Sequence, residues 1–290
     1  MPESLAGKVI AITGAGKGLG RAYARYLAAK GARIVVNNRS HKGEESSSAD
    51  RVVAEIRATG GEAVADYGSV EDPESGGSLL AAALSEFGRL DGIVANAGVI
   101  ENRTFRKQTL DGIKTILDIN LLGTIHSVHP AFRYFCEQGQ GCVIVSASSA
   151  GLFGDFGLPG YSASKAAVLG LMYSLATEGA AKGVVANAIA PYATTAMTAE
   201  HVTAEVAAKM SPDAVAPVVA WLLSGAVNGE ILLAGAGRVS RARMQVSATI
   251  DVGDAEIDLQ RFEALAVDHS YARASEHFQD FIKADNEAAD

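Results

Sequence analysis

Tyr161-Ser162-Ala163-Ser164-Lys165 sets a phenol and an ammonium at i and i+4, a spacing that on a helix puts both on one face, one turn apart. A neighbouring ammonium favours tyrosinate. Bringing a phenol from about 10 toward 7 takes roughly 4 kcal/mol of differential stabilisation, which one ammonium and a cationic oxidised nicotinamide can supply together in a low-dielectric site. A tyrosine tuned in this way takes a proton from a secondary alcohol, or gives one to a ketone, while hydride moves to or from the nicotinamide. An ordinary surface helix pair has the same spacing, so the motif decides nothing alone.

A second cluster supplies the nicotinamide carrier. Thr13-Gly14-Ala15-Gly16-Lys17-Gly18-Leu19-Gly20 follows the first β-branched run and leads into an alanine-rich segment. Glycines permit a tight turn and a close approach of backbone N–H groups to a pyrophosphate, and the following helix presents its positive end. The spacing is T-G-x-x-x-G-x-G, not G-x-G-x-x-G, so the turn gains its meaning from its place after strand one of an alternating pattern. Where the second strand ends, Val36-Asn37-Asn38-Arg39 carries no carboxylate to accept a ribose 2′-hydroxyl. Arg39 can fork onto a 2′-phosphate, with Lys17 on the same side, which favours NADP(H) over NAD(H). Stacking of Arg39 on adenine, or solvation of both cations, is the competing interpretation.

The elements that must position these groups alternate. Strands are expected at Val9–Thr13, Arg33–Asn37, Glu62–Asp66, Gly92–Asn96, Cys142–Ser146, Val184–Ala190 and Glu230–Ala234. Helices are expected at Gly20–Lys30, Ser47–Thr59, Pro73–Phe87, Leu110–Gln138 and Tyr161–Lys182, with His41–Ser48 as an extended loop. Helix-length connections between short apolar strands imply right-handed crossovers and a mostly parallel sheet covered on both faces. Residues 1–250 are expected to form one Rossmann domain holding the cofactor and substrate sites. Residues 251–290 are expected to form a helical extension, with Asp258–Asn286 packing on its own domain, packing on a neighbouring subunit, or remaining solvated.

These motifs together resemble the short-chain dehydrogenase/reductase family: Thr13-Gly14-x-x-x-Gly18-x-Gly20, Asn96-Ala97-Gly98, Asn120, Ser148 and Tyr161-x-x-x-Lys165, spread over roughly residues 7–240. The resemblance implies a doubly wound α/β Rossmann fold with seven strands in the order 3-2-1-4-5-6-7. It implies Tyr161 as acid/base, and Lys165 as the residue that lowers its pKa and holds the nicotinamide ribose. Ser148, thirteen residues before Tyr161, would bond the substrate oxygen, with Ser146 and Ser149 as weaker candidates, and Asn120 would hold a water linking Lys165 to solvent. The cofactor set it implies is Gly14, Lys17, Gly18, Leu19, Arg39, Ser69, Val70, Asn96, Ala97, Gly98, Tyr161, Lys165, Pro191 and Thr194. It also implies a homodimer or homotetramer.

Within that family, Thr13–Ala24, Gly151–Gly157 and Ala188–Pro191 look like the (3R)-hydroxyacyl-CoA dehydrogenase part of the type 2 peroxisomal multifunctional enzymes, a group also described as 17β-hydroxysteroid dehydrogenases. Asn38-Arg39 replaces the acidic residue of those NAD users, Gly68-Ser69-Val70 lacks the usual Asp after strand three, and Tyr192 follows Pro191 in place of glycine. Leu152, Phe153, Phe156, Leu158 and Pro159, with Met197, Val202 and Val206 of a lid at Tyr192–Met210, either face a bulky hydrophobic substrate or pack the fold. An acyl-CoA would also need cations, for which Arg103, Arg106, Lys107, Arg238 and Arg241 are available. Three functions follow: an NADP(H)-linked enzyme for a hydrophobic carbonyl or secondary alcohol, a 3-hydroxyacyl-CoA dehydrogenase, or a catalytically silent dinucleotide-binding scaffold or sensor.

The bulk properties narrow the partners. The chain has 290 residues, 48% of them hydrophobic, with a net charge of −8. That acidic balance argues against nucleic acid or an anionic membrane surface. Cys136 and Cys142 are too few for a disulfide framework and have no metal-site spacing, so no metal is expected. Met1–Lys8 lacks a signal-peptide pattern and no apolar run approaches the ~20 residues of a membrane span, so a soluble cytoplasmic protein is expected.

Overall fold

The computed structural model describes residues 5–40, 47–194, 209–247, 249, 265, 267–271, 276 and 281. Strands β1 (Val9–Ile12), β2 (Arg33–Asn37), β3 (Glu62–Asp66), β4 (Gly92–Ala95), β5 (Gly141–Ser146), β6 (Val184–Pro191), β7 (Ile231–Gly235) and β8 (Arg238–Ala242) form one sheet in the order 3-2-1-4-5-6-7-8. The pairs from β3 through β7 are all parallel. The expected doubly wound fold is therefore present, with eight strands instead of seven. The added strand turns back from β7 through Ala236 and Gly237, both at positive φ (50° and 72°). That is the two-residue hairpin geometry whose twist matches the strands. It escapes sequence pattern because β8 is a polar edge: Arg238, Val239, Ser240 and Arg241 are all exposed.

Burial on both faces explains the strand sequences. Successive residues Val9, Ile10, Ala11 and Ile12 are all sealed from solvent, as are Val143, Ile144 and Val145. Ile10, Ile12, Ile34, Val36, Val94 and Ile144 point into one core with Tyr23 and Leu27 of α1 (Gly18–Ala29), Val52 and Ile56 of α2 (Ser48–Ala58) and Val219 of α8 (Ala216–Leu222). The remaining helices are α3 (Ser75–Phe87), α4 (Leu110–Leu117), α5 (Gly123–Gln138), α6 (Ser149–Phe153) and α7 (Pro159–Ala180). Of these, α3 packs on α5, and α7 packs on β5 and β6.

The segment expected as one helix over Leu110–Gln138 is helical throughout, but Asp118–Leu122 forms a π turn between α4 and α5. A π turn inserts one residue into the helical ladder and marks functional positions more often than ordinary helix does. Asn120 lies inside it.

The chain divides into compact units at residues 1–241 and 242–290. In the second, β9 (Val246–Ser247) pairs antiparallel with β10 (Val267–His269), so those three residues of the helix expected over Asp258–Asn286 form a strand instead. Pairing with Ser247 and Val246 outweighs helical spacing there, since strand preference follows the partner available. Most of that stretch, with Leu259, Phe262 and Phe278, lies outside the described residues. Among the described residues no helix is long and apolar enough to cross a membrane.

Candidate active site

The ends of β1 and β4 flank the reversal of strand order, where open α/β sheets take their ligands. Thr13 locks them together: its Oγ1 accepts the N–H groups of Asn96 and Ala97, each at 3.0 Å, and its carbonyl accepts Asn96 Nδ2 at 3.0 Å. Gly14 and Gly18 sit at φ 63° and 54°. A Cβ on Gly14 would lie 2.9 Å from Ala97 Cα, so this position is closed to any side chain. Helix α1 begins at Gly18 with no side-chain cap, which leaves its first N–H groups directed at the cleft.

A cleft of about 460 Å³ runs along this seam. Its walls include Gly14, Lys17, Gly18, Leu19, Arg39, Ser69, Val70, Asn96, Ala97, Gly98, Tyr161, Lys165 and Pro191, every cofactor residue expected from the sequence except Thr194. Thr194 is not in the wall, but its Oγ1 is buried and without a hydrogen-bond partner among the described residues; Ser146 Oγ, in the wall, is likewise unpaired. Buried hydroxyls are rarely left unpaired, and a glycine cradle, an uncapped helix start and the orphan Ser146 hydroxyl along one cleft fit a dinucleotide.

At the inner end, the side chains of α6 and α7 meet. A Cβ on Gly151 would stand 2.7 Å from the Lys165 carbonyl carbon, so a glycine there lets the two helices touch. Ser148 caps α6, its Oγ accepting the Ala150 N–H at 3.2 Å, which leaves the hydroxyl proton available to donate. Burial pushes the Tyr161 phenol's pKa up, and the Ser148 hydroxyl draws it down to a lesser degree. Lys165 Nζ lies 5.8 Å from the Tyr161 ring centre and donates to the Ser146 carbonyl at 2.6 Å. Burial draws this ammonium down to about 8. The expected depression of Tyr161 is thus absent from the protein taken alone. Desolvation outweighs Ser148, and Lys165 is itself a buried group whose charge is disfavoured.

Asn120 is fully buried. Its Oδ1 accepts the Val99 N–H at 2.8 Å, and its Nδ2 donates to Val99 O at 2.9 Å and to Ser164 Oγ at 3.0 Å. Ser164 in turn donates to the Tyr161 carbonyl at 2.7 Å. Both amide protons are spent, and the Asn120 carbonyl already accepts the Thr124 hydroxyl at 2.7 Å. A second lone pair on Oδ1 is the side chain's remaining capacity for a water. A Cβ on Gly98 would stand 3.1 Å from Asn120 Oδ1 and 3.6 Å from Lys165 Nζ, so the bare glycine keeps these two groups beside the cleft.

The rim of the cleft beyond β2 and β3 contains a residue that the sequence did not expose. Arg39 Nη1 pairs with Glu71 Oε2 at 2.9 Å, and Ser69 donates to the same oxygen at 3.3 Å. The register pairs Asn37 with Asp66, so the residues just beyond β2 and β3 are neighbours, and that was the available signal. Asn38, in the same wall, donates to Ser48 Oγ at 2.7 Å.

The described apolar residues among those assigned to substrate are not in the cleft wall. Phe153 and Phe156 are 76% and 88% exposed, while Leu152, Leu158 and Pro159 are partly buried; Met197, Val202 and Val206 lie outside the described residues. Of the cations considered for a CoA ester, Arg103 pairs with Glu101 at 3.3 Å and Arg241 pairs with Glu230, while Arg106 and Lys107 stand exposed beside Phe105.

The sequence profile of the short chain dehydrogenase family matches residues 8–206. This chain is a short-chain dehydrogenase/reductase. It is 43% identical to a short-chain type dehydrogenase/reductase of Mycobacterium tuberculosis, over 82% of this chain and 85% of that one. It is 38% identical to mouse peroxisomal multifunctional enzyme type 2, over 84% of this chain but only 34% of that protein, so this dehydrogenase/reductase spans about a third of the mouse enzyme's length. A short chain dehydrogenase from Mycobacterium avium superposes with a TM-score of 0.79 at 34% identity, covering 90% of this chain and 93% of that one. The resemblance to the type 2 multifunctional enzymes thus holds, and the chain is an NAD(P)-binding oxidoreductase.

Proposed function

We propose that this short-chain dehydrogenase/reductase interconverts a ketone and a secondary alcohol with NADP(H), on a bulky hydrophobic substrate, in the cytoplasm and as a homodimer or homotetramer. The single observation that carries the chemistry is the convergence of Ser148, Tyr161 and Lys165 at one end of a cleft whose other end holds Lys17 and Arg39. The nicotinamide, when bound, supplies or accepts hydride. Tyr161 Oη gives its proton to the carbonyl oxygen in reduction and takes it back in oxidation. Ser148, whose lone pair is engaged by Ala150, donates to that oxygen as charge develops on it. Lys165, anchored on the Ser146 carbonyl, favours tyrosinate and holds the ribose, and Asn120 fixes the π turn against the strand-four loop.

For the cofactor, the absence of a carboxylate in Asn37-Asn38-Arg39 and the nearness of Lys17 support NADP(H). The test is a carbonyl screen following nucleotide absorbance, with kcat/KM compared for NADPH and NADH. A higher value for NADH would overturn the cofactor assignment. The likeness to the type 2 multifunctional enzyme, and the exposed Arg106 and Lys107, favour a second reading as a 3-hydroxyacyl-CoA dehydrogenase. Turnover of a CoA ester that disappears on the free acid would select it. Failure of every carbonyl and alcohol, with nucleotide still bound, would point to a silent scaffold.

A further inference from the structure

We propose that Glu71 sets how sharply the nucleotide end distinguishes a 2′-phosphate from a 2′-hydroxyl, by competing with the phosphate for Arg39. This inference rests on the reading of Arg39 and Lys17 as the 2′ site, and adds to it a residue that opposes them. The parallel register of β2 and β3 carries both chain ends to one rim, and Arg39 and Glu71 both line the cleft.

The carboxylate is held from two sides, since Glu71 Oε2 accepts both Arg39 Nη1 at 2.9 Å and Ser69 Oγ at 3.3 Å. It is therefore placed where the 2′ substituent would have to share the guanidinium. The two side chains are 51% and 42% exposed, so their ion pair is cheap to open. A phosphate dianion can displace Glu71 from Arg39 because it offers more charge, and two oxygens to the planar fork that Glu71 engages through Oε2 alone. The displaced Glu71 nevertheless stays tethered beside it, as a like charge. A 2′-hydroxyl meets no such conflict, because it can donate to a carboxylate and leave the Arg39 pair closed.

Lys17 carries the complementary part. It is exposed in the cleft wall, with no ion pair or hydrogen bond to its ammonium among the described residues. Two cations against one carboxylate leave a net positive rim, so the protein favours the phosphate by a margin that Glu71 restrains. Removing the Glu71 charge should widen that margin.

The experiment is calorimetric titration of adenosine 2′,5′-bisphosphate and of 5′-AMP into the full chain, as wild type, Glu71→Gln and Arg39→Ala. Thermal melts alongside confirm that these surface changes leave the fold intact. Glu71→Gln is expected to tighten the bisphosphate about fivefold to tenfold, as loss of one like charge near a dianion at partial exposure would give. Binding of 5′-AMP should stay within about twofold. Arg39→Ala should weaken the bisphosphate. If Arg39→Ala weakens it but Glu71→Gln leaves it unchanged or weaker, Glu71 merely orients Arg39 and the inference is overturned while the 2′-site reading stands. Bisphosphate binding unaffected by Arg39→Ala overturns both.

Discussion

Lys165 Nζ donates a 2.6 Å hydrogen bond to the main-chain carbonyl of Ser146, the last residue of β5. Ser148 follows two residues later, so one bond ties the helix carrying Tyr161 to the strand end that presents its partner hydroxyl. The ammonium is sealed in protein, and burial draws it down to about 8.

That value makes a stability prediction. The folded pKa of Lys165 lies below that of an unfolded lysine, so below pH 8 the folded state carries a charge it would rather lose. Between pH 8 and about 10.4 the unfolded chain binds the extra proton, and stability contributed by this group rises with pH. The burial penalty at neutral pH is on the order of 3 kcal/mol. Lys165→Met should therefore gain stability relative to wild type at pH 7, and the gap should narrow toward pH 10. Urea unfolding at both values checks it; a gap that does not change with pH would refute the buried-ammonium account.

Tyr161→Phe should lower kcat by about 10²- to 10⁴-fold, the range for loss of a positioned acid/base. Nucleotide affinity should change little, because the ring and its contacts remain. Stopped-flow turnover and a nucleotide fluorescence titration separate the two. Turnover near wild type would remove Tyr161 from the proton step.

Ser148→Ala tests the other influence on the phenol. The Ser148 hydroxyl draws Tyr161 down against a larger upward push from burial. Without it the phenol should ionise at still higher pH, and the rising limb of alcohol oxidation against pH should move to higher pH. Loss of the α6 cap should also cost about 1 kcal/mol of stability. Ser148→Thr, which keeps a hydroxyl, should restore both the limb and the cap. A limb unmoved in Ser148→Ala would mean that Ser148 does not influence the proton step.

The division between what sequence pattern reveals and what it hides follows from range. β2 and β3 have the bounds that β-branched runs between turn residues predict, and the glycine turn reads as a cradle because local geometry demands it. Tyr161 and Lys165 are one helical turn apart, so their meeting is local too. Glu71 reaches Arg39 across 32 positions of chain through a strand register, which no periodicity encodes. β8 has no apolar alternation because it is an edge, and the π turn at Asn120 is invisible to a pattern that counts 3.6 residues per turn. The substrate side is the least legible part, since Phe153 and Phe156 look like pocket residues by position yet stand exposed.

Asn120 offers the most structural of the tests. Its amide satisfies both the N–H and the carbonyl of Val99 and reaches Ser164, while α5 begins directly after its π turn. Asn120→Ala leaves the half-buried Val99 N–H and carbonyl without their side-chain partner, each costing toward the low end of about 1–3 kcal/mol, so total destabilisation of about 2–4 kcal/mol is expected. Activity should fall further than the unfolded fraction accounts for, because Val99 lines the cleft and Ser164 bonds the Tyr161 carbonyl. Measuring kcat at a temperature where the variant is still fully folded separates the effects. Wild-type kcat there would mean that Asn120 supports the fold alone, while a loss with nucleotide affinity preserved would place it in the positioning of Tyr161.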